Sequence, residues 1–237
     1  MLSRTPITDH LRASGSWNPY WDPISALDPD WAETFIRMGI SAWTNGVLPL
    51  KTVELLCIAG DASVTHMYAP GVRRHIRGAL QQGATRAEIA EVLKLACAMG
   101  SQSLRLGVPI LVEELGRQGA SKPVSNGSGD GHRQSLHELD AAWSECHRNA
   151  VESVWRDGVL DLKTIELICI CLNAACTHLS ADGVRRHIRA ALAAGASRAE
   201  ILEVLKLTSV LGIHSLSLAA PILAEEYTAC TPVDVSE

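Results

Sequence analysis

Glu54 and His75 stand 21 residues apart, and the same pair returns as Glu166 and His187. An imidazole beside a carboxylate can take up or release a proton near neutral pH, so the pair has the composition of an acid–base catalyst. Each histidine lies in an identical heptad, GVRRHIR, at 71–77 and at 183–189. The heptad places Arg73 and Arg74 beside His75, and Arg185 and Arg186 beside His187. Guanidinium groups hold carboxylates through paired, charge-assisted hydrogen bonds. These residue types therefore suit proton transfer on a small anionic molecule, with Arg74 and Arg186 leading the anion-binding groups. The same residues also suit a structural role, in which a buried Glu–His or Glu–Arg pair fixes helix register.

A further histidine, His66 or His178, precedes each heptad histidine by nine residues. It reads as a substrate contact, as a helix cap facing solvent, or as a metal ligand. In the last case Glu54, His66 and His75, and likewise Glu166, His178 and His187, would form triads suited to zinc, manganese or iron. Apart from that divalent metal, the chemistry calls for no cofactor.

The elements that must position these groups are helices. On the heptad helix, Val72, Ile76, Ala79 and Leu80 define an apolar stripe, and His75 shares its face. Glu54 sits among Val53, Leu56, Cys57 and Ile58 in a helix running from Leu50 to about Ala62. Gly83 and Gly195 read as C-terminal caps, and Thr85 with Glu88 (Ser197 with Glu200) as capping boxes opening the next helix. That helix carries Ile89, Val92, Leu93, Ala96 and Met99 as a stripe, breaks at Gly100 or Gly212, and leads to a final helix bent or started at Pro109 or Pro221. With a first helix from Asp28 to Asn45, each unit has five. No alternating strand pattern competes, so the fold class is all-α.

A shift of 112 residues aligns the two units without a gap, with 41 identities over the 68 positions from Leu48 to Leu115. This is a tandem repeat. The expected organisation is an N-terminal arm at 1–27, a first repeat at 28–115, a flexible Gly/Ser-rich linker at 116–136, a second repeat at 137–227 and a tail at 228–237. The arm's Trp17, Tyr20 and Trp21 read as a lid or as anchors wrapped over a neighbouring subunit. The copies differ at Tyr68/Ser180, Pro70/Asp182, Cys97/Ser209 and Gln102/His214, so the two pockets differ in chemistry. His214 itself reads as a satisfied core histidine.

The chain has 237 residues, 47% of them hydrophobic, and a net charge of −5, without the basic excess that phosphate-backbone binding needs. No nucleic-acid partner is expected. The most apolar window, Val204 to Leu223, contains Lys206 and His214 and reads as a buried helix, with no membrane partner expected. The N-terminal sequence has no leader pattern, and the seven cysteines include no C-x-x-C pair, so a cytoplasmic location is expected.

The order of LKTVELLCIA, RRHIRGALQQGATRAEIAEVLKLACAMG and their duplicates resembles the carboxymuconolactone decarboxylase family, which includes the alkylhydroperoxidase D-like proteins. The resemblance covers about three quarters of the chain. It implies an all-helical fold, assembly into a homo-oligomer (dimer, trimer or hexamer), and a pocket between helices. Glu54 and Glu166 match the family's glutamate, and His75 and His187 its histidine. The peroxidase branch uses Cys-x-x-Cys before that histidine, where this chain has Tyr68 and Gly71, or Ser180 and Gly183. The dithiol relay is therefore not expected. The decarboxylase branch needs no cysteine, and the resemblance implies a lyase acting on a small carboxylate or lactone. A metal-dependent enzyme and a non-catalytic oligomeric binding protein remain the alternatives.

Overall fold

The computed structural model describes residues 4–117 and 131–230. Among them no strand occurs. In chain order the helices are α1 (Pro6–Ala13), a 3-10 turn (Pro19–Trp21), α2 (Asp22–Leu27), α3 (Pro29–Gly39), α4 (Ser41–Thr44), α5 (Leu50–Ala62), α6 (Ala69–Gln81), α7 (Arg86–Ala98), a 3-10 turn (Met99–Ser101) and α8 (Gln102–Arg117). The second half follows with α9 (Gly131–Leu139), α10 (Ala141–Arg156), α11 (Leu162–Ala174), α12 (Ala181–Ala193), α13 (Arg198–Ser209), a 3-10 turn (Val210–Gly212) and α14 (Ile213–Cys230).

α5 and α11 form the centre. Residues 52–61 and 164–173 are buried without interruption, as expected of helices that are apolar on every side. They pack on each other, with the Cys171 thiol 3.7 Å from the Leu56 carbonyl. Around them α6 and α7, and α12 and α13, close each repeat. The punctuation follows the sequence: both capping boxes form, and Gly83 and Gly195 adopt φ of +80° and +85°, a region only glycine enters freely.

The two repeats clasp each other reciprocally. Buried Glu91 of α7 accepts from the Val159 and Leu160 amides at 2.6 and 3.0 Å, and its counterpart Glu203 of α13 accepts from Asn45 at 2.8 Å. The Thr65 and Thr177 hydroxyls meet at 2.7 Å. α2 packs on α14 of the other repeat, and α9 packs on α8. α9 thus stands where the 3-10 turn and α2 stand in the first copy.

Several expectations are corrected. The described parts of the 116–136 linker, 116–117 and 131–136, are helical, and 118–130 lie outside the described residues. Of the tail, 228–230 extend α14, and 231–237 lie outside the described residues. The single helix expected over 28–45 is two, α3 and α4, broken after Gly39, whereas α10 runs through the equivalent positions with Val151 in glycine's place. Glycine's low helix propensity explains the difference. Leu80 and Leu93 are exposed, and the inward positions are Gly71, His75 and Ala79 on α6 and Leu95 on α7. Cys57, Cys169 and Cys171 are buried in the core, and Cys176 is exposed.

The apolar window at Val204–Leu223 is not a uniformly buried helix. The runs 86–117 and 198–229 are long and apolar enough to cross a membrane by length and composition. Each is interrupted by a 3-10 turn: α7 and α13 enter the core through Val92, Leu95, Val204 and Leu207, while Leu106 and Leu218 beyond the turns are 70% and 69% exposed.

Candidate functional site

Glu54 enters the site because α5 is buried all round, so its carboxylate has to find partners inside the protein. It finds two: Trp43 Nε1–H donates to Oε1 at 2.7 Å, and His75 Nδ1 lies 2.7 Å from Oε2. Two glycines of α6 allow this approach. A Cβ on Gly78 would stand 2.6 Å from the Glu54 carboxyl carbon, and one on Gly71 would overlap the Asp61 carboxylate. The GVRRHIR heptad thus opens with a glycine because its helix presses against a buried polar side chain of α5. Gly183 presses on Asn173 of α11 in the same way.

With Nδ1–H donating to Glu54, neutral His75 turns the Nε2 lone pair outward. There it accepts from Arg74 at 3.0 Å and lies 3.9 Å from Asp61 Oδ2. Burial lowers the His75 pKa, the Glu54 hydrogen bond opposes that, and the Arg74 charge adds to the lowering, with a net downward result. Burial pushes the Asp61 carboxyl up to about 7, against the pull of Arg74.

His75 and Arg74 line a cavity of about 910 Å³. Its lining includes Glu54, His75, Arg73, Arg74 and Arg77 from the first repeat, and Leu211, His214 and Ser217 from the second. The arm closes it with Asn18, Tyr20 and Trp21. The arm is therefore a lid over its own chain's cavity. It is fastened where the Ile7 and Thr8 amides and the Thr8 hydroxyl each donate to buried Glu33 at 2.9 Å.

The second repeat rebuilds the dyad without this surround. Glu166 and His187 Nδ1 are 2.6 Å apart, and Arg186 reaches His187 Nε2 at 3.1 Å. None of Glu166, His187, Arg185 and Arg186 lines the cavity. Trp155, the counterpart of Trp43, lies on unbroken α10 and is 36% exposed.

The proposed metal triads do not assemble. Neither Glu54–His66–His75 nor Glu166–His178–His187 forms a ligand cluster among the described residues, and His66 instead contacts His214 at 2.7 Å. The three ligand-type side chains that do converge are Asp61, His66 and His214. His214 is therefore no isolated core histidine: it lines the cavity, with the Tyr68 ring stacked on it at 3.9 Å. Trp43, Asp61, Tyr68 and His214 escaped sequence reasoning. The Tyr68/Ser180 and Gln102/His214 differences between the repeats were the only signal for two of them.

The family model described as carboxymuconolactone decarboxylase family matches residues 29–108 and 138–224, one match per repeat. The chain belongs to that family. A crystal structure from Burkholderia xenovorans LB400, of a protein provisionally named a gamma-carboxymuconolactone decarboxylase subunit, is similar at 33% identity and a TM-score of 0.86. The match covers 97% of this chain and 99% of that one. No curated protein matches the chain. Within this carboxymuconolactone decarboxylase family member, thiol chemistry at the cavity is disfavoured. Burial first, and then the charges of Glu54 and Asp61, push the thiol of Cys57, which lines the cavity, well above its ordinary pKa, which disfavours its thiolate.

Proposed function

We propose that the protein is a decarboxylase-type lyase acting on a small carboxylate or lactone in the first-repeat cavity, by acid–base chemistry that asks for no organic cofactor. The observation that carries this reading is His75, oriented by Glu54 and lining one cavity with Arg73, Arg74 and Arg77.

The substrate carboxylate takes the Arg74 guanidinium from its resting place on Nε2, with Arg73 and Arg77 adding positive charge at the rim. Loss of carbon dioxide leaves the bonding electron pair in the conjugated carbonyl or lactone system, where guanidinium charge stabilises the developing oxyanion. Freed of Arg74, His75 Nε2 takes up a proton from solvent, and the imidazolium so formed, stabilised by the Glu54 carboxylate that Trp43 holds, passes that proton to the carbon. Glu166, His187, Arg185 and Arg186 repeat the pairing away from this cavity, and we assign them a structural role.

We further propose that the protein works as a homo-oligomer. Leu106, Ile110 and Leu111 on α8, and Leu218, Ile222 and Leu223 on α14, are each about half exposed or more, and a second copy would remove them from water.

The test is a panel of carboxylated lactones and β-keto acids, followed by carbon dioxide release. Turnover abolished by His75→Gln but retained by His187→Gln is the expected result. Turnover unaffected by His75→Gln would end the acid–base reading, and tight binding of the panel without any turnover would favour a binding protein.

A further inference from the structure

At the edge of the first-repeat cavity, which Asp61 and His214 line, stands a second constellation that the acid–base chemistry leaves unused. Asp61, His66 and His214 each present one ligand-type atom, and the three atoms lie within 4.8 Å of one another. His66 Nε2 is 2.7 Å from His214 Nδ1, and Asp61 Oδ1 is 3.6 Å from the same nitrogen. The Asp61 side chain is only 1% exposed, and its Oδ2 is buried with no hydrogen-bond partner. That Oδ2 lies on the His75 side, 3.9 Å from Nε2, while Oδ1 faces His214; a buried carboxylate so poorly bonded is costly, and a cation on Oδ1 would offset the cost.

The other repeat supplies an internal control. The counterparts of Asp61, His66 and His214, 112 positions away, are Asn173, His178 and Gln102. There Gln102 donates to Asn173 Oδ1 at 3.2 Å, and Asn173 Nδ2 donates to the Cys169 carbonyl at 2.8 Å. Two neutral amides satisfy each other. In the first repeat the same two positions carry a carboxylate and an imidazole, and the carboxylate is left partly unsatisfied. One scaffold thus exists in a self-satisfied form and in a form with convergent donors.

We propose that Asp61, His66 and His214 bind one divalent transition-metal ion of the zinc class. Two imidazoles and a carboxylate suit zinc, cobalt, iron or manganese better than magnesium or calcium, which prefer all-oxygen sites. Ligands about 2.1 Å from a shared ion stand roughly 3.0–3.4 Å apart. The Asp61–His214 separation is already close to that range, and the two imidazoles need to part by only a few tenths of an ångström. Because Asp61 and His214 line the cavity, an oxygen of a bound anion or water could complete the coordination from that side. The Arg74 charge opposes a cation there, and the Asp61 and Glu54 carboxylates offset it. This inference goes beyond the lyase reading and stands apart from it, because it is tested by metal binding without substrate.

The experiment is titration of the full-length, chelator-stripped protein with zinc chloride by calorimetry, and with cobalt chloride by visible absorption. The expected result is one equivalent per chain, with cobalt d–d bands of a site containing nitrogen ligands. The double variant Asp61→Asn with His214→Gln recreates the amide pair that the second repeat already accommodates. It should fold, as checked by circular dichroism, and lose about 100-fold or more in affinity, while His66→Gln alone should lose about 10-fold or more. No uptake by the wild type at micromolar metal, or uptake unchanged in His66→Gln or in the double variant, would overturn the site.

Discussion

At the scale of the residue, the decisive arrangement is a histidine with one nitrogen committed and the other open. Glu54 fixes the Nδ1–H tautomer, leaving Nε2 as the only nitrogen that can exchange a proton with a substrate. Replacing His75 with Gln is expected to lower kcat by roughly 10²–10⁴-fold, the usual worth of a positioned acid–base group, whereas His187→Gln should leave kcat within about 10-fold of wild type. Steady-state kinetics on the two variants checks both. A subtler test lies at Gly78. The second repeat carries Ala190 there, and Glu166 still reaches its histidine, so Gly78→Ala should fold. With a methyl group where the Glu54 carboxylate now stands, 2.6 Å from the built Cβ, the carboxylate must shift, loosening its bond to Trp43. A several-fold fall in kcat with little change in melting temperature is expected, and altered Trp43 quenching would report the shift. The Glu–His pairing was legible in the sequence because pattern and helical phase place both groups inward. Asp61 was not: nothing local marks an aspartate near the end of an apolar helix as a member of a site.

At the scale of the element, two carboxylates clamp backbone. Glu33 serves as a remote N-terminal cap for α1, whose own N-cap residue Thr5 makes no side-chain capping bond. Burial alone would raise the Glu33 pKa, but the hydrogen bonds from Thr8, Ile7 and Arg37 outweigh it and hold it below the ordinary value. A depressed carboxyl stabilises the folded arrangement above its unfolded pKa, and that contribution disappears as pH falls through the folded value. The arm should therefore stay docked at neutral pH and loosen below about pH 4, given an ordinary glutamate near 4.3. Trp17 and Trp21 fluorescence reads this directly, and Glu33→Ala should give the loosened signal at every pH. Glu91 performs the inter-repeat version of the same task, holding two amides of the chain entering α11. Glu91→Ala strands both donors in a partly buried place and should cost about 2–4 kcal/mol, measured by denaturant unfolding. Capping boxes and glycine caps were legible because they are written within a few residues. The break between α3 and α4 was missed, although Gly39 is its local cause, because apolar periodicity continues across it.

At the scale of the whole molecule, the repeats exchange parts. The first-repeat dyad is covered by Leu211, His214 and Ser217 of the second, and α9 of the second copy leans on α8 of the first. The apolar residues left outside on α8 and α14 lead to the last expectation. The 25.5 kDa chain should elute as a multimer in light scattering, and Leu106→Glu combined with Leu218→Glu should reduce it to a monomer without unfolding it. The sequence by itself determined the all-α class, the duplication, the helix punctuation and the two Glu–His dyads, because each depends on spacing along one helix or on identity between copies. Only the tertiary structure decided which dyad lines the 910 Å³ cavity, that the arm is its lid, that α9 takes in residues 131–136 of a supposed linker, and that His214 and Asp61 share a cluster. These depend on contacts between residues 148 positions apart and more, and the packing of one helix across another leaves no period in the sequence of either.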